Sequence, residues 1–286
     1  MMRFDTMFNA KFNLFYAMRL KLKGRKPPKP PRPGSFRPAQ LTYLKKIRIM
    51  LAELFRLTRE IVIAELPTLL AVATNLRPDR TDDYADDIAE IIARLRKAFG
   101  NFFTDAEYFD MAMNAATGTE TINNAYFRKL AVKMVGIDLG RAEPWLKQEM
   151  QVFVKNNMTL VKSIAEEHIE RVEKTIMLGA QQGWRHEELA KTIEDKFGIA
   201  ENKAKLIARD QVSKFNAALT ESRMKDAGIE KYIWQTSGDE RVRESHAEKD
   251  GKTFSWDDPP EDTGNPGEDI NCRCVAIPVL EEKSET

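Results

Sequence analysis

The stretch of sequence that decides the architecture lies near the C-terminal end of the chain. Residues 234–246 read WQTSGDERVRESH, and residues 271–274 read NCRC. Both cysteines of the 286-residue chain, Cys272 and Cys274, lie here, and His246 is one of only three histidines. Residues two apart in a β-strand point to the same face, so a strand here would present the two sulfurs side by side. This arrangement is typical of a metal site or of a small buried cluster.

The residue types predict a zinc site. Zinc binds Cys, His and Asp side chains in a tetrahedral arrangement at about 2.0–2.3 Å, so we take Cys272, Cys274 and His246 as three ligands. Asp239 is the predicted fourth ligand, and Asp250 is an alternative to it. A second interpretation stays open, in which both thiols are small, partly buried side chains and His246 hydrogen-bonds a carboxylate.

The remaining polar residues of this stretch predict a structural network rather than a catalytic one. An Asp-x-Arg-x-Arg pattern in a turn forms local ion pairs, with bidentate arginines holding the loop. A hydrolase could instead use Asp239 and His246 with arginines on a phosphate. However, no serine or cysteine nucleophile is visibly paired with His246, and we predict no catalytic residues and no enzyme. The predicted network consists of Trp234, Arg241, Arg243 and Asp250.

The composition indicates a soluble, helix-rich protein, with 42% hydrophobic and 31% charged residues. No run approaches the roughly 18 apolar residues that a membrane span needs. Two cysteines do not make a disulfide framework, which favours synthesis in a reducing cytosol. The charge is unevenly distributed, because residues 1–40 hold ten lysines or arginines and one acid, while the rest holds 35 basic against 43 acidic residues. The two parts are therefore expected to meet different partners.

The proline pattern predicts an extended, basic N-terminal arm. Residues 24–38 contain six prolines and two glycines, which favour an extended, solvated linker. We expect the arm to act either as a tether or as a contact to DNA phosphates or to an acidic groove of a partner. The candidate contact residues are Arg19, Lys21, Lys23, Arg25, Lys26, Lys29, Arg32 and Arg37. The predicted division of the chain is 1–40 for the arm, 41–156 for a helical domain and 157–286 for a C-terminal domain, with a strand-containing module at 229–280.

The hydrophobic spacing predicts a mainly α fold with a small α+β C-terminal module. His168 lies in an acidic helix and is expected to be solvated or ion-paired. The predicted strands are 231–236 and 272–279, with a third around 252–254. The predicted helices are 41–75 with a kink at Pro67, 81–100, 105–116, 119–135, 142–156, 159–178, 186–198 and 201–227.

Several short segments of the C-terminal half resemble a known family. They are Ile207-Ala-Arg-Asp-Gln-Val212, Asn216-Ala-Ala218, Ala227-Gly-Ile229, Tyr232-Ile-Trp234, the run Asp239 to Arg243, His246, Asp250-Gly251 and Asn271-Cys-Arg-Cys274. In this order they are similar to the phage head morphogenesis family, the minor head proteins that resemble protein F of phage Mu. The resemblance is dense from Leu206 to Val279, begins at about Trp145 and does not cover the first half.

The resemblance implies a minor head (capsid) protein of a tailed phage. Such a protein is made in the host cytoplasm, lies in the head interior near the portal, and assists head morphogenesis, DNA packaging or genome delivery. The implied partners are the portal protein, the major capsid or scaffolding protein and packaged DNA, without a membrane. The alternative that stays open is a DNA-binding or nuclease-type effector carried in the virion.

Overall fold

The computed structural model describes residues 17, 21, 28–75, 82–136 and 143–280. The described chain is mainly helical and has a three-stranded sheet near its C-terminal end, which confirms the predicted fold class. Residues 28–36 have no regular secondary structure, as expected for a proline-rich arm. The helices are α1 (Arg37–Leu57), α2 (Leu66–Asn75), α3 (Asp82–Phe102), α4 (Asp105–Val135), α5 (Leu146–Gln182), α6 (His186–Asp195), α7 (Phe197–Asp226) and α8 (Glu244–Ala247). The strands are β1 (Lys231–Gln235), β2 (Thr253–Ser255) and β3 (Val275–Pro278).

The chain forms two compact units, each built from non-contiguous stretches. The C-terminal unit comprises the described residues within 1–39, 116–151 and 209–286. The helical unit comprises those within 40–115 and 152–208. The sequential boundaries after residues 40 and 156 stay a prediction, because compactness alone does not show which stretches fold independently.

The helix predicted over 41–75 is interrupted where proline makes this necessary. Regular α-helix ends at Leu57, a π-helical turn and a 3₁₀ turn follow, and α2 begins at Leu66. Pro67 lacks an N–H group and its ring would clash with the carbonyl of Ile63, so it is accommodated only at the start of a new helix. The hydroxyl of Thr58 donates to the Leu54 carbonyl at 2.8 Å, which fits the disturbed hydrogen-bond ladder at that point.

Four predicted helices merge into two long ones. α4 is continuous through Gly118, where a Cβ would lie 3.8 Å from the Ala39 side chain, an ordinary van der Waals distance. α5 is continuous through residues 157 and 158, which lie between the predicted helices 142–156 and 159–178. The Asn157 side chain donates to the Phe153 carbonyl at 2.9 Å and accepts from the Tyr43 hydroxyl at 3.0 Å. Its polar groups are therefore satisfied inside the helical unit, and it does not end the helix.

The sheet has the order β2-β1-β3, with both pairs antiparallel. In β1, Tyr232 and Trp234 are buried and alternate with more exposed neighbours, as the period-two pattern predicts. The prediction that a strand begins at residue 272 is wrong, because β3 begins at Val275. Asn271 has φ of 57°, a left-handed conformation that turns the chain before the two cysteines.

A buried arginine connects three stretches of the C-terminal unit. Arg223 on α7 is 4% exposed and donates to Glu143 from two nitrogens at 2.7 Å, forming a bidentate pair. It also donates to Glu120 at 2.8 Å and to Asn123 at 2.6 Å, both on α4. Its guanidinium lies 5.9 Å from the centre of the Trp145 ring. Arg223 is buried and the Glu120 and Glu143 side chains are only 17% exposed, so the loss of Arg223 would leave two largely shielded carboxylates without their cation.

We expect Arg223→Met to lower the free energy of unfolding by about 3–5 kcal/mol, since breaking a buried ion pair strands the remaining charges. Urea denaturation followed by circular dichroism measures this. Lys225→Met is the matched control, because Lys225 on the same helix pairs with Glu221 and Asp257 at a more exposed position. The control should change stability by no more than about 1 kcal/mol. Equal effects of the two substitutions would contradict the structural role of Arg223.

In the helical unit, His168 is buried, and the prediction that it is solvated or ion-paired is wrong. Its ring lies 5.2 Å from the rings of Phe55 and Phe197, which stack on each other at 4.1 Å. Both ring nitrogens are buried, and neither finds a hydrogen-bond partner among the described residues. Burial, together with the nearby charge of Arg171, lowers the pKa of His168 from 6.5 to about 4. The helical periodicity of α5 turns this side chain inward although its sequence neighbours are acidic.

We expect His168 to make the stability of the helical unit depend on pH. The unfolded chain binds a proton at His168 below pH 6.5, whereas the folded chain does so only near pH 4. The free energy of unfolding should therefore fall as the pH falls from 6.5 to 4, by about 3 kcal/mol in total. His168→Phe should flatten this part of the stability profile, measured by urea denaturation at a series of pH values. The control His186→Gln changes an exposed histidine and should leave the profile as it is. A profile that His168→Phe does not alter would contradict this account.

Candidate metal centre

Two sulfurs and one imidazole nitrogen converge in the C-terminal unit. The Nδ1 atom of His246 lies 3.4 Å from the Cys274 sulfur and 3.5 Å from the Cys272 sulfur. All three side chains are buried, and their ligand atoms lie within 4.8 Å of one another. The predicted convergence of these three residues is therefore present, and the group could hold a metal ion. We call Cys272, Cys274 and His246 the Cys₂His group.

A tight turn, and not a strand, brings the two sulfurs together. The backbone N–H groups of Gly267 and Cys274 both donate to the Cys272 sulfur, at 3.3 Å and 3.4 Å. Gly267 has φ of 98°, and a Cβ there would lie 2.7 Å from the Cβ of Ala217. Only glycine satisfies both the backbone conformation and the packing. The turn therefore fixes the position of the Cys272 sulfur before any ion binds.

Two residues of helix α7 form hydrogen bonds with Asn271, which lies in this turn. The buried carboxylate of Asp210 accepts the backbone N–H of Asn271 at 2.8 Å, and Arg209 donates to the Asn271 side chain at 2.7 Å. Asparagine tolerates the left-handed conformation better than most residues, and these two bonds stabilise it. The residue before the Cys-x-Cys pair is thus attached to a helix more than 60 positions earlier in the chain.

His246 is oriented by a carboxylate on the far side of its ring. It lies on α8, and its Nε2 is 3.2 Å from Oδ2 of Asp269. The same carboxylate pairs with Arg243 and accepts the backbone N–H of Ile270 at 2.8 Å. With Nε2–H donating to Asp269, Nδ1 carries its lone pair toward the two sulfurs. This is the arrangement that metal-binding histidines adopt, with a carboxylate behind the ring.

The two thiols differ in acidity. A hydrogen bond with Cys274 and the N–H groups of Cys274 and Gly267 lower the pKa of Cys272 to about 6, against the opposing effect of burial. The hydrogen bond with Cys272 raises the pKa of Cys274, and burial raises it further. A thiolate at Cys272 is the form that binds a metal ion.

The distances suit zinc. Zinc–sulfur bonds of about 2.3 Å and zinc–nitrogen bonds of about 2.0–2.1 Å at a tetrahedral angle separate sulfur from nitrogen by roughly 3.6 Å. The two observed separations between His246 Nδ1 and the sulfurs, 3.4 Å and 3.5 Å, are close to this value. The second interpretation from the sequence is also partly met, because the thiols are buried and His246 does bond a carboxylate. The two interpretations are compatible in this geometry.

The structure does not bring the proposed fourth ligands to the group. Asp239 forms an ion pair with Arg273 and accepts the backbone N–H of Arg241 at 3.1 Å. Asp250 accepts the backbone N–H of Thr236 at 2.7 Å and its hydroxyl at 3.0 Å. Both carboxylates therefore stabilise loops, which places them with the predicted network and not with the Cys₂His group.

The predicted network is partly rearranged. Arg243 belongs to the network, because it forms an ion pair with Asp269 and donates to the Ile270 carbonyl at 2.6 Å. Trp234 is fully buried and meets the His246 ring edge-on at 5.5 Å. Asp239 forms its ion pair with Arg273, which lies between the two cysteines. Arg241 donates only its backbone N–H to Asp239.

Sequence reasoning gave no supporting role to Asp269, Asn271 or Gly267. Asp269, Asn271 and Gly267 form the turn and the histidine contact, and Asp210 anchors them. Their neighbours carried signals, since Pro266-Gly267 predicts a turn and Asn271 precedes the cysteines. Nothing in their spacing, however, indicated which sulfur or nitrogen each would meet.

The basic arm is only partly within the described residues. Lys21, Lys29, Arg32 and Arg37 are exposed, so their charges are available to a partner. Arg19, Lys23, Arg25 and Lys26 lie outside the described residues. The predicted DNA or partner contact by the arm therefore stays a prediction.

Comparison with known proteins identifies the domain that holds the Cys₂His group. Residues 170–277 match the family described as Phage Mu protein F like protein. The chain therefore carries a Phage Mu protein F-like domain, as its resemblance to the head morphogenesis proteins implied. The match begins within α5, includes all three residues of the group and ends in β3.

Two curated proteins are similar to longer parts of the chain. A Haemophilus influenzae protein of uncharacterised function is 45% identical over 153 residues, covering 52% of this chain and 34% of its own length. An NAD(+)–arginine ADP-ribosyltransferase of Enterococcus faecalis is 28% identical over 248 residues, covering 77% of this chain and 47% of its own. The chain thus spans between a third and a half of these relatives. No solved structure matches it.

Within the described ranges, no helix combines the length and apolar character that crossing a membrane requires.

We expect the metal-free protein to contain one unusually acidic thiol. Thiolate ultraviolet absorbance should rise in a step near pH 6, because Cys272 is stabilised as thiolate by three hydrogen bonds. Cys272→Ser should abolish this step. Cys274→Ala should move it upward, because this substitution removes the side-chain hydrogen bond from residue 274 to the Cys272 sulfur. Titration of both thiols together near the ordinary value of about 8.5 would contradict the geometry of the turn.

Proposed function

We propose that the chain is a minor head protein of a tailed phage that docks at the portal or inner shell and assists head morphogenesis, DNA packaging or genome delivery. The observation that carries the proposal is the Mu F-like domain, whose match coincides with the sheet and the Cys₂His group. The basic arm supports it, because exposed lysines and arginines suit packaged DNA or an acidic face of the portal or capsid. Its working location is then the virion, after synthesis in the host cytoplasm.

The experiment is a head assembly assay in a phage that encodes the chain. Heads purified from the wild type should contain the protein in low copy, together with the portal protein, as measured by mass spectrometry. Removal of the gene should reduce the yield of heads that are filled and infectious. Normal heads in its absence, or heads that never contain the protein, would overturn the proposal. An otherwise intact chain with Lys29, Arg32 and Arg37 changed to glutamine tests whether the arm carries the contact.

An enzymatic role is the second candidate, because the E. faecalis relative is named as an ADP-ribosyltransferase. The chain matches less than half of that protein, so the named activity does not transfer with the match. We propose that this chain is not itself an enzyme. Purified full-length protein incubated with NAD⁺ and an arginine-rich acceptor, or with DNA, should show no turnover. Transfer or hydrolysis that His246→Ala abolishes while the fold persists would establish the enzymatic role.

We also propose that the Cys₂His group binds zinc and stabilises the C-terminal unit. Three ligands of the right type meet at the right separations, one is already acidic, and the histidine has its supporting carboxylate. Zinc would tie α8 to the segment that leads into β3, across loops that otherwise lack regular structure. Its contribution would be structural, as a cross-link that the unfolded chain cannot make.

We expect the purified protein to contain one zinc ion per chain by elemental analysis. His246→Ala and Cys272→Ser should lose it, whereas Asp269→Asn should retain the ligands and weaken binding by about 10–100-fold. A chelator should lower the melting temperature of the wild type but not that of His246→Ala. His186→Ala is the control, as an exposed histidine away from the group. Absence of metal in the wild type, with no effect of chelator, would contradict the zinc proposal.

A further inference from the structure

The described parts of the N-terminal arm lie along one helix of the C-terminal unit, α4. A Cβ at Gly34 would lie 3.7 Å from the Ile122 side chain, so the arm contacts the middle of this helix. A Cβ at Gly136, just past the end of α4, would lie 2.9 Å from the Nζ atom of Lys21. The contacted position on α4 thus falls from 136 to 122 as the position in the arm rises from 21 to 34. The arm therefore lies against α4 in antiparallel order.

Burial separates the prolines of the arm from its charges. The four prolines of residues 28–33 are half-buried, whereas Lys29 and Arg32 are exposed. Pro33 lines a cavity together with Asn123 of α4 and Val275 of β3, so the proline side of the arm faces the unit. The polyproline conformation, which such a sequence favours, repeats every three residues and places positions 29 and 32 on one side, about 9 Å apart. The arm thus turns its prolines inward and its cations outward.

Helix α4 adds two lysines along the path of the arm. Lys129 and Lys133 are exposed. At 3.6 residues per turn, positions 122, 129 and 133 lie within about 40° of one another around the helix axis. Ile122 is the position that Gly34 contacts, and Lys133 lies one turn before Gly136, which Lys21 contacts. The two lysines are therefore on the side of α4 along which the arm runs.

Arm and helix together form a surface of one charge sign. We call its exposed cations the basic strip, which consists of Lys21, Lys29, Arg32, Arg37, Lys129 and Lys133. Neither residues 21–39 nor residues 121–136 contain an aspartate or a glutamate. From position 118 to position 136, α4 is about 27 Å long, and this length matches roughly eight base pairs of B-DNA. The basic strip therefore suits an extended polyanion.

The exposed chemistry of the basic strip favours DNA over an acidic protein. Protein–protein interfaces have apolar and aromatic anchors at their centre. Within the described residues of the arm and of 121–136, one large hydrophobic side chain is exposed, that of Val132. Phe127 packs against the core instead. Ammonium and guanidinium groups without such anchors are what phosphate contacts require.

We propose that the basic strip binds the phosphate backbone of double-stranded DNA, with the arm and α4 contacting the same duplex. The inference deepens the function proposed above, and it rests on that function for the DNA that the protein meets in a phage head. It assigns part of the contact to two lysines of a helix, which the arm alone does not supply. Phosphate contacts carry no sequence information, so binding should not depend on base sequence.

The test measures binding of the full-length protein to a fluorescent duplex of about 20 base pairs, longer than the basic strip, by anisotropy at a series of salt concentrations. Each lost phosphate contact reduces the slope of log K against log salt by about 0.9. The double variant Lys129→Gln, Lys133→Gln should therefore bind more weakly, with a slope reduced by about 1.8. The double variant Lys29→Gln, Arg32→Gln should show a reduction of the same size.

The matched control removes the same charge elsewhere in the unit. Lys231→Gln with Lys252→Gln changes two exposed lysines at the sheet and should leave the slope as in the wild type. Binding that the Lys129→Gln, Lys133→Gln variant retains unchanged, or that the control reduces equally, would overturn the basic strip. A wild type that does not bind the duplex at low salt would overturn it as well. Binding of poly-L-glutamate in place of the duplex would assign the surface to an acidic protein and contradict the proposal.

The position of the arm has its own test. Gly34→Cys with Ile122→Cys should form a disulfide on mild oxidation, identified by mass spectrometry of tryptic peptides. The cross-linked protein should bind the duplex with the slope of the wild type. Gly34→Cys with Val132→Cys is the control and should not cross-link, because position 132 lies about 15 Å further along the helix. A Gly34→Cys, Ile122→Cys variant that fails to cross-link, or that loses DNA binding until it is reduced, would overturn the docked arm.

The duplex assay and the head assembly assay separate the two proposals. A protein that binds the duplex as expected but never enters heads would overturn the role in the virion and leave the basic strip in place. A protein that enters heads but does not bind the duplex would overturn the basic strip alone.

Discussion

The structure of the C-terminal unit depends on one buried contact, in which the thiols of Cys272 and Cys274 lie against the imidazole of His246. Cys272 and His246 are 26 positions apart, and the chain between them contains β2 and long loops without regular structure. Such loops bury few apolar side chains of their own, so their course must be set by specific polar contacts. Three residues support this contact. Gly267 directs its N–H group to the Cys272 sulfur, Asn271 turns the chain, and Asp269 aligns the His246 ring. Gly267 also packs against Ala217, and Asn271 also bonds Asp210 and Arg209, so the same turn serves both this contact and the packing on α7.

Periodicity predicted the architecture well where burial alone sets it. The amphipathic helices, the alternation in β1 and the third strand followed from the spacing of apolar residues. The errors arose at polar residues whose partners are distant in sequence. Residues 157 and 158 were predicted to separate two helices, whereas Asn157 bonds the distant Tyr43 from within one continuous helix. His168 has acidic sequence neighbours, but its ring contacts in the fold are aromatic. Local sequence cannot show such partners, because they come from other stretches of the chain.

The candidate site was predictable in its ligands and not in its construction. Rare residue types, two cysteines and one of three histidines, marked Cys272, Cys274 and His246 from the start. The expected strand geometry was nevertheless wrong, and the sulfurs are brought together by a left-handed turn at Asn271 and by backbone N–H groups. Acidic residues are abundant between positions 239 and 269, so spacing alone could not distinguish Asp269, which meets the ring, from Asp239, which meets Arg273. That choice is made in three dimensions by which loop lies against α8.

The sheet has a further consequence for how neighbouring molecules can approach it. Both of its outer strands are short, with three residues in β2 and four in β3. Ser255 is bridged to Asp258, two prolines follow at positions 259 and 260, and β3 itself ends at Pro278. Proline has no N–H group to donate to an incoming strand. The two short outer strands also expose few backbone N–H and C=O groups, so an added strand would form few hydrogen bonds. A second copy packed alongside at high local concentration would therefore gain little by extending the sheet, and the fold is protected against edge-to-edge polymerisation.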